Sequence, residues 1–517
     1  MSVPEKSNAH EVDVETMDTP QLSHKNKNLE EEKLFDNSKQ FVIDRENLYK
    51  DISDEEIKRT VRKNDWILLP VLFFTCTMGA VDKVSLSTAA IYGLRTDTHL
   101  HGQQYSWLGS IIFIGSLVGV WPVSFLLQRF PLGKALATAS FCWSVLTLLL
   151  AACNNYASLV SLRFLMGIFE TAIVPGATLM IGRFYLKKEQ PVRLGIVFMF
   201  ASSVINGFLS WLVGNFGDSL PKWKYLFLLT GSVSVAWSIF ILFFLPNSPM
   251  NAVYLTDREK YIMVQRVLQN KTGVETTDFK WYQAREAVLD IKAYIIFFFN
   301  VAINIPNGGL STFSGIIIHN LGFDSKQSSL MTIPTGVVAS LATITFNYFS
   351  GRLHNKRCII AITSLLLPIC GAAICYGVKR NHVGPQLLGL YLMYFYFSSY
   401  VTMISLSQAN TGGNTKKAVT YGINYLGYAT GALIGPQTFR ASQAPKYTGG
   451  FISMLGAYCA CIFFAVIYWI VCTVENKRKT AALLECSAIE AEVGHLDDET
   501  LYSDITDKEK RDFMYTK

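Results

Sequence analysis

The chain has 517 residues, of which 50% are hydrophobic and only 16% are charged. Soluble proteins average about 25% charged residues, so this composition argues against a soluble globular protein and indicates a membrane protein. The net charge of +7 does not indicate nucleic-acid binding, because the basic residues are scattered and lie mostly beside apolar segments, as loop residues facing an anionic membrane surface do.

Residues 1–65 are polar, charged and poor in aromatic side chains. This composition predicts a disordered tail, and the segment lacks the short apolar core of a cleavable signal peptide. We therefore expect the first membrane segment to act also as the insertion signal.

Twelve apolar segments follow this tail, each about 20 residues long or slightly longer. Such a length suffices for a helix to cross a hydrocarbon core of about 30 Å. The predicted fold class is an all-α integral membrane protein with twelve transmembrane helices. The predicted spans are 66–92, 105–128, 133–153, 157–185, 193–216, 223–245, 292–318, 327–350, 358–378, 385–409, 418–436 (the least hydrophobic) and 450–474.

The segment 246–291 divides these spans into two groups of six. It begins with the helix-breaking sequence PNSP and continues as the amphipathic stretch LTDREKYIMVQRVLQ, which predicts a helix on the membrane surface. The predicted domains are two six-helix bundles at 66–245 and 292–474, joined by this central loop and flanked by tails at 1–65 and 475–517.

Lysine and arginine residues in the short loops predict the orientation. With the N-terminus inside, the inner loops carry eleven of these residues and the outer loops eight. The excess of basic residues on the inner side grows when those that flank the first and last spans are included. Cytoplasmic loops are enriched in lysine and arginine, so we expect both tails and the central loop in the cytoplasm.

The two halves resemble each other in sequence. Arg129 in QRFPLGK follows the second span, and Arg352 in GRLHNKR follows the eighth, 223 residues later. Position 305, which lies 223 residues after Asp82, belongs to the sequence NIPNGG of the seventh span. Pro306 and two glycines are expected to interrupt the helix there. Broken helices at matching heights of two repeats are typical of a transporter's binding site.

Away from the span ends, charged side chains occur in only two of the predicted spans. The first contains Asp82 and Lys83, and the fourth contains Arg163 and Glu170, which lie seven residues apart and so share a helix face. A charge at the bilayer centre costs about 2.5–3.5 kcal/mol, so these residues must face a cavity or one another. A purely structural ion pair between helices is the alternative to a functional role.

The second half offers uncharged polar groups instead, and we expect Asn304, Asn307, Gln408 and Asn424 to bind substrate. Packing between helices is the alternative role for each of them. A cationic half that faces a hydrogen-bonding half would suit an organic anion.

The cysteines and histidines have no spacing typical of a disulfide scaffold or a metal site. No nucleophile–histidine–acid set and no phosphate-binding glycine loop is visible either. The sequence therefore predicts neither an enzyme, nor a cofactor, nor a metal.

Several long motifs resemble the major facilitator superfamily, its anion:cation symporter family and, within it, the fungal allantoate permease branch. These motifs are RFLMGIFE, QRFPLGK, VDKVSLSTAAIYGLRTDTHLHGQQYSW, NIPNGG, GPQTFRASQAPKYTGG and SDITDKEKRDFMYTK. The resemblance extends from about residue 45 to the end of the chain. It implies secondary active transport of an organic anion with protons by alternating access. Substrates in the fungal branch include allantoate, ureidosuccinate, vitamin acids, sulfur compounds and small peptides.

The resemblance also implies roles for the four charged residues. We expect Glu170 to be the main proton carrier and Asp82 a second one, while Arg163 holds the substrate carboxylate, or Glu170 when no substrate is present. Lys83 stands where bacterial relatives have arginine, and an ammonium cannot grip a carboxylate bidentately. We therefore expect Lys83 to pair with Asp82, although a contact with substrate stays open.

The expected partners are a small organic anion, a proton and the lipid bilayer, and we expect a monomer. The plasma membrane is the expected location, with the endoplasmic reticulum as the alternative. A transporter-like nutrient sensor without net transport is the alternative function.

Overall fold

The computed structural model describes residues 40–45, 48–49, 52–186, 189–198, 202–217, 219–268, 280–353, 355–493, 506–510 and 513–517. Helices and their connections make up this part of the chain, and it contains no strand. Most of the predicted N-terminal tail and part of the predicted central loop lie outside the described residues.

The N-terminal half contains six membrane spans, the fourth and fifth of which consist of two helices each. The helices are α1 (Asp54–Ile91), α2 (Gln104–Arg129), α3 (Leu132–Leu150), α4 (Tyr156–Glu170), α5 (Ile173–Phe184), α6 (Gln190–Val197), α7 (Ser202–Gly214) and α8 (Lys222–Phe244). Two helices of the central loop follow, α9 (Asp257–Leu268) and α10 (Trp281–Leu289).

The C-terminal half contains six further spans, the eighth and tenth again made of two helices each. The helices are α11 (Ile291–His319), α12 (Ser325–Met331), α13 (Ile333–Arg352), α14 (Arg357–Gly377), α15 (Val383–Met393), α16 (Tyr396–Ala409), α17 (Asn414–Gln437) and α18 (Thr448–Val493).

The described residues contain eleven helical spans that are long and apolar enough to cross a membrane. The remaining span, α17, is the one that the sequence marks as least hydrophobic, and it packs along α11 and against α2 of the N-terminal half. A Cβ on Gly431 would collide with the carbonyl oxygen of Val301 in α11, so small residues allow this close contact. The prediction of an all-α fold with twelve spans is confirmed.

Helix α1 begins at Asp54, within the segment 1–65 that the composition predicts to be a tail. The Ser53 hydroxyl accepts a hydrogen bond from the Glu56 amide, and the acidic residues of the first turn favour a helix N-terminus there. At the other end of the chain, α18 continues to Val493, so the predicted C-terminal tail is helical over its first part.

The fourth span, rather than the seventh, is interrupted near its middle. Helix α11 continues through Pro306 without a break, so the prediction of a broken seventh helix is wrong. Helix α4 instead ends at Glu170, and α5 begins at Ile173. Between them the Thr171 hydroxyl donates to the carbonyl oxygen of Gly167 at 2.7 Å.

The two halves are joined at the ends expected to be extracellular. The Ser110 hydroxyl donates to the Leu433 carbonyl oxygen at 2.7 Å, and the Tyr105 hydroxyl donates to the Thr312 carbonyl oxygen at the same distance. At the opposite, cytoplasmic end, a cleft of about 330 Å³ opens between residues of α16 and α17. The described contacts thus close the extracellular end, whereas the cleft at the other end lies within the C-terminal half.

The helices of the central loop dock on different halves. Helix α9 packs on the N-terminal half, where Glu259 accepts a hydrogen bond from Lys63 at 2.7 Å and Arg266 pairs with Glu189 at 2.7 Å. Helix α10 packs on α17 of the C-terminal half.

Candidate functional site

The centre of the charged group is an ion pair between α1 and α4. The Lys83 ammonium lies 2.6 Å from a carboxylate oxygen of Glu170. The Glu170 side chain is 9% exposed and that of Lys83 is 25% exposed, so the pair is largely shielded from solvent. Its energy depends strongly on whether Glu170 carries its charge, because removing one partner of a buried pair leaves the other uncompensated.

Asp82 has a different partner from the predicted one. One of its carboxylate oxygens, Oδ2, accepts a hydrogen bond from the Thr147 hydroxyl of α3 at 3.0 Å, and the other, Oδ1, is buried without a hydrogen-bond partner among the described residues. The predicted pairing of Lys83 with Asp82 is therefore wrong. Residues adjacent on a helix point about 100° apart, so Lys83 faces Glu170 while Asp82 faces α3.

Arg163 is buried, with 2% of its surface exposed. It lies within electrostatic range of Asp82 and Glu170, but its Nε and Nη1 atoms donate no hydrogen bond to any described residue. The expectation that Arg163 holds Glu170 is not met in this arrangement. A buried donor without a partner costs about 1–3 kcal/mol, and more when the group is charged. The guanidinium therefore has free binding capacity for an anion.

Two glycines bring the helices of this site together. A Cβ on Gly79, one turn before Lys83, would lie 2.7 Å from Cδ1 of Ile173. A Cβ on Gly167, between Arg163 and Glu170, would collide with the carbonyl oxygen of Ile112 in α2. The backbones of α2 and α4 therefore approach closely at Gly167, whereas Gly79 makes room in α1 for the Ile173 side chain of α5.

Aromatic side chains lie beside Lys83. Its ammonium is 5.6 Å from the ring centroid of Phe113, and Phe113 contacts Tyr428 of α17 edge-on at 6.0 Å. Tyr428 in turn lies 5.8 Å from Tyr425 and 6.5 Å from Tyr400. The two halves thus meet beside the ion pair through rings that can contact the apolar part of a ligand.

The asparagines of α11 bond mainly within the C-terminal half. Asn304 donates to the Asn300 carbonyl oxygen at 2.8 Å, and Asn307 donates to Asn304 Oδ1 at 3.0 Å. Tyr396 donates to Asn307 Oδ1 at 3.0 Å. Both polar atoms of the buried Asn300 side chain have no hydrogen-bond partner among the described residues.

Gln408 and Asn424 line the cytoplasmic cleft, and neither belongs to the charged group. Asn424 donates to the Ser407 hydroxyl at 3.3 Å, and its Oδ1 atom has no hydrogen-bond partner among the described residues. The eight predicted site residues therefore divide into a charged group in the N-terminal half, an asparagine chain in α11, and this cleft.

Sequence reasoning missed Thr147, Phe113 and two tyrosines of α17, Tyr425 and Tyr428. A threonine in an apolar helix gives no signal of its own, because its hydroxyl usually bonds to its own backbone. The tyrosines did have a signal. Tyr421, Tyr425 and Tyr428 recur at intervals of four and three residues, which places them along one face of the helix.

Comparison with known proteins gives consistent matches over most of the chain. The model of the Major Facilitator Superfamily matches residues 71–436. The MFS-type transporter cnsL of Penicillium expansum is 39% identical over 464 residues, which are 90% of this chain and 89% of that protein. Allantoate permease of Saccharomyces cerevisiae is 34% identical over 481 residues, which are 90% of this chain and 88% of that protein.

Among solved structures, an inward-facing bacterial homologue of the human lysosomal transporter Spinster is similar in fold, with a TM-score of 0.59 at 15% identity. The match covers 78% of this chain and 96% of that chain. Family model, sequence relatives and fold agree. This chain belongs to the major facilitator superfamily, in the group of fungal transporters that includes allantoate permease.

Proposed function

We propose that this transporter imports a small organic anion together with protons by alternating access. The observation that carries the proposal is the buried guanidinium of Arg163, whose Nε and Nη1 atoms have no partner among the described residues. A carboxylate accepts two parallel hydrogen bonds from a guanidinium, and such charge-assisted bonds are about twice as strong as neutral ones. Nε and Nη1 lie on different edges of the guanidinium, so each can donate one charge-assisted bond to an anion, which suits a carboxylate better than a neutral sugar or a cation.

The ion pair of Lys83 and Glu170 supplies a coupling mechanism. While Glu170 is ionised it occupies the Lys83 ammonium at 2.6 Å. Protonation of Glu170 removes the carboxylate charge, so the Lys83 ammonium becomes available to the substrate anion. Proton binding and anion binding at this pair therefore favour each other, as symport requires.

Asp82 is the second candidate proton carrier. Its Oδ1 atom is buried without a hydrogen-bond partner among the described residues, and it lies within electrostatic range of Arg163 and Glu170. When Arg163 binds a substrate carboxylate, the positive charge of the guanidinium is partly neutralised by the substrate. The guanidinium then stabilises the negative charge of Asp82 less. Asp82 thereby links the state of the guanidinium to α3 through the bond to Thr147.

Transport into proteoliposomes tests the proposal. Allantoate, the substrate named for the yeast relative, is the first probe of a panel of labelled carboxylates. We expect the protein to accumulate one member of the panel against its gradient when the lumen is alkaline, and a protonophore to abolish the accumulation. Binding without accumulation would instead assign the protein as a nutrient sensor, the alternative function.

The substitution Glu170→Gln tests the coupling residue. It keeps the size of the side chain but cannot bind or release a proton, so we expect loss of accumulation driven by a pH gradient while exchange of substrate across the membrane persists. Asp257→Asn in α9 is the matched control, because that carboxylate is 71% exposed and lies in the central loop. Undiminished uphill uptake by the Glu170 variant would contradict the assignment.

A further inference from the structure

A segment near the end of the chain lies against the cytoplasmic ends of the C-terminal helices. It comprises residues 506–510 and 513–517, and we call it the clasp segment. Asp507 is fully buried and Tyr515 is 2% exposed, although both follow the last membrane span in a predicted polar tail. Burial of an acid and a tyrosine at this position requires specific partners.

Asp507 is surrounded by donors from several elements. Its carboxylate lies 2.6 Å from the Lys416 ammonium and 3.4 Å from the Lys292 ammonium. The Gly412 amide donates to it at 3.0 Å and the Tyr515 hydroxyl at 2.8 Å. Burial alone would raise the pKa of Asp507, but the hydrogen bond and charge of Lys416, aided by Lys292, hold that pKa below its usual value. The acid is therefore ionised at neutral pH, which keeps the contact closed in the cytoplasm.

Two asparagines hold the backbone of the clasp segment by paired hydrogen bonds. Asn476 of α18 donates to the Tyr515 carbonyl oxygen and accepts from the Tyr515 amide, both at 2.8 Å. Asn410, at the end of α16, makes the same two bonds with Thr516, both at 2.7 Å. Such paired bonds recognise an extended backbone and resemble those at the edge of a sheet.

The anchoring groups come from four separate places in the C-terminal half. Lys292 begins α11, Asn476 lies in α18, and Asn410 with Gly412 belongs to the connection between α16 and α17. At the start of α14, the Arg357 amide donates to the Lys517 carbonyl oxygen at 2.9 Å. One short peptide thus joins the cytoplasmic ends of helices that are distant in sequence.

We propose that the clasp segment fixes the connection between α16 and α17 at the mouth of the cytoplasmic cleft and holds the C-terminal half together as one moving unit. Thr411 and Lys417, which flank the anchored Gly412 and Lys416, both line that cleft. A change in the clasp segment therefore alters the cleft without touching the charged group around Arg163. Displacement of the clasp segment frees the connection and loosens the cytoplasmic side of the transporter.

Hydrogen–deuterium exchange on the full-length protein in nanodiscs tests this proposal without any substrate, so its outcome is independent of the proposed transport activity. In the native protein we expect slow exchange at the amides of Tyr515 and Thr516 and across residues 411–417. The variants Asn476→Ala and Asp507→Ala each remove clasp contacts, and we expect exchange in both regions to be about tenfold faster or more. Two variants are used so that poor folding of one does not decide the test.

Lys508→Ala is the matched control, because this side chain belongs to the same segment and is exposed. We expect native exchange in this variant. Rapid exchange at Tyr515 and Thr516 in the native protein would overturn the docking. Faster exchange of those two amides with unchanged exchange across 411–417 in both variants would overturn the role in fixing the connection.

Discussion

In the proposed mechanism, substrate binding depends most on the guanidinium of Arg163. A lysine at this position keeps the charge but loses the planar pair of donors that matches a carboxylate. We expect Arg163→Lys to raise the KM for the transported anion about tenfold or more, corresponding to the loss of one charge-assisted hydrogen bond. Initial rates of uptake over a range of substrate concentrations measure this change.

The matched control is Arg129→Lys, at the cytoplasmic end of α2, where the guanidinium is exposed near the Phe125 ring. This variant should retain the native KM. An unchanged KM in Arg163→Lys would mean that the substrate does not use the guanidinium as a bidentate donor.

At the residue scale, the sequence predicted the membership of the charged group but not its pairing. Four charges in apolar helices stand out because lipid exposure would be so unfavourable. Which acid meets which base depends on how α1 and α4 are rotated toward each other, and sequence adjacency favoured the wrong partner for Lys83. Thr147 was not predictable, because a single hydroxyl in α3 carries no pattern.

Among the helices, the contact of α2 with α4 sets the geometry of the site. Gly167 allows it, since a Cβ there would collide with the backbone of Ile112, and a backbone atom cannot rotate away as a side chain can. We expect Gly167→Ala to lower the stability by about 1–3 kcal/mol and to reduce uptake by displacing Arg163 and Glu170. Thermal unfolding in detergent and the uptake assay measure the two effects.

Gly182→Ala in α5 provides the comparison, because a Cβ at Gly182 meets nothing within 4 Å. Its stability and uptake should remain native or improve slightly. Equal behaviour of the two variants would show that close packing at Gly167 does not position the charges.

Helix boundaries were less predictable than helix existence. Hydropathy marks where a helix crosses lipid, but α1 begins earlier at a capped turn and α18 continues beyond the membrane. The proline and glycines of NIPNGG suggested a break in α11, yet these glycines serve close packing: a Cβ on Gly308 would collide with the carbonyl oxygen of Ala432. The actual interruption at Thr171 lies four residues before Pro175, which has no amide to donate to the Thr171 carbonyl oxygen.

For the whole molecule, the proposed mechanism predicts from the charges of the site how transport responds to voltage. Asp82 and Glu170 balance Lys83 and Arg163, so the empty site is neutral when all four are ionised. Adding one proton and one monovalent anion leaves it neutral again. We therefore expect one proton to enter with each monovalent anion and the net cycle to move no charge.

Proteoliposomes that contain potassium and valinomycin separate the two driving forces. A pH gradient at zero potential should drive accumulation, whereas an inside-negative potential without a pH gradient should not. Accumulation driven by potential alone would require more than one proton per anion, with Asp82 as the natural second carrier.

The number and length of the apolar spans were predictable from the sequence, because the length of a span depends on the thickness of the bilayer. The closed extracellular end and the docked clasp segment were not. Both rest on hydrogen bonds between residues far apart in sequence, such as Asp507 with Lys416, and composition contains no information on such partners.

The contacts that close the extracellular end also determine how easily the molecule reopens. Hydroxyl groups of Ser110 and Tyr105 bond there to backbone carbonyl oxygens of the other half, and each such neutral bond contributes only about 0.5–1.5 kcal/mol net. Water can replace these partners one at a time, and the Lys326 ammonium, a charged donor at the same end, bonds to the neutral Asn215 Oδ1 at 3.0 Å rather than to an opposite charge. The barrier to opening is thereby kept low, and dissolved salt, which screens charges rather than neutral dipoles, has little influence on the opening rate.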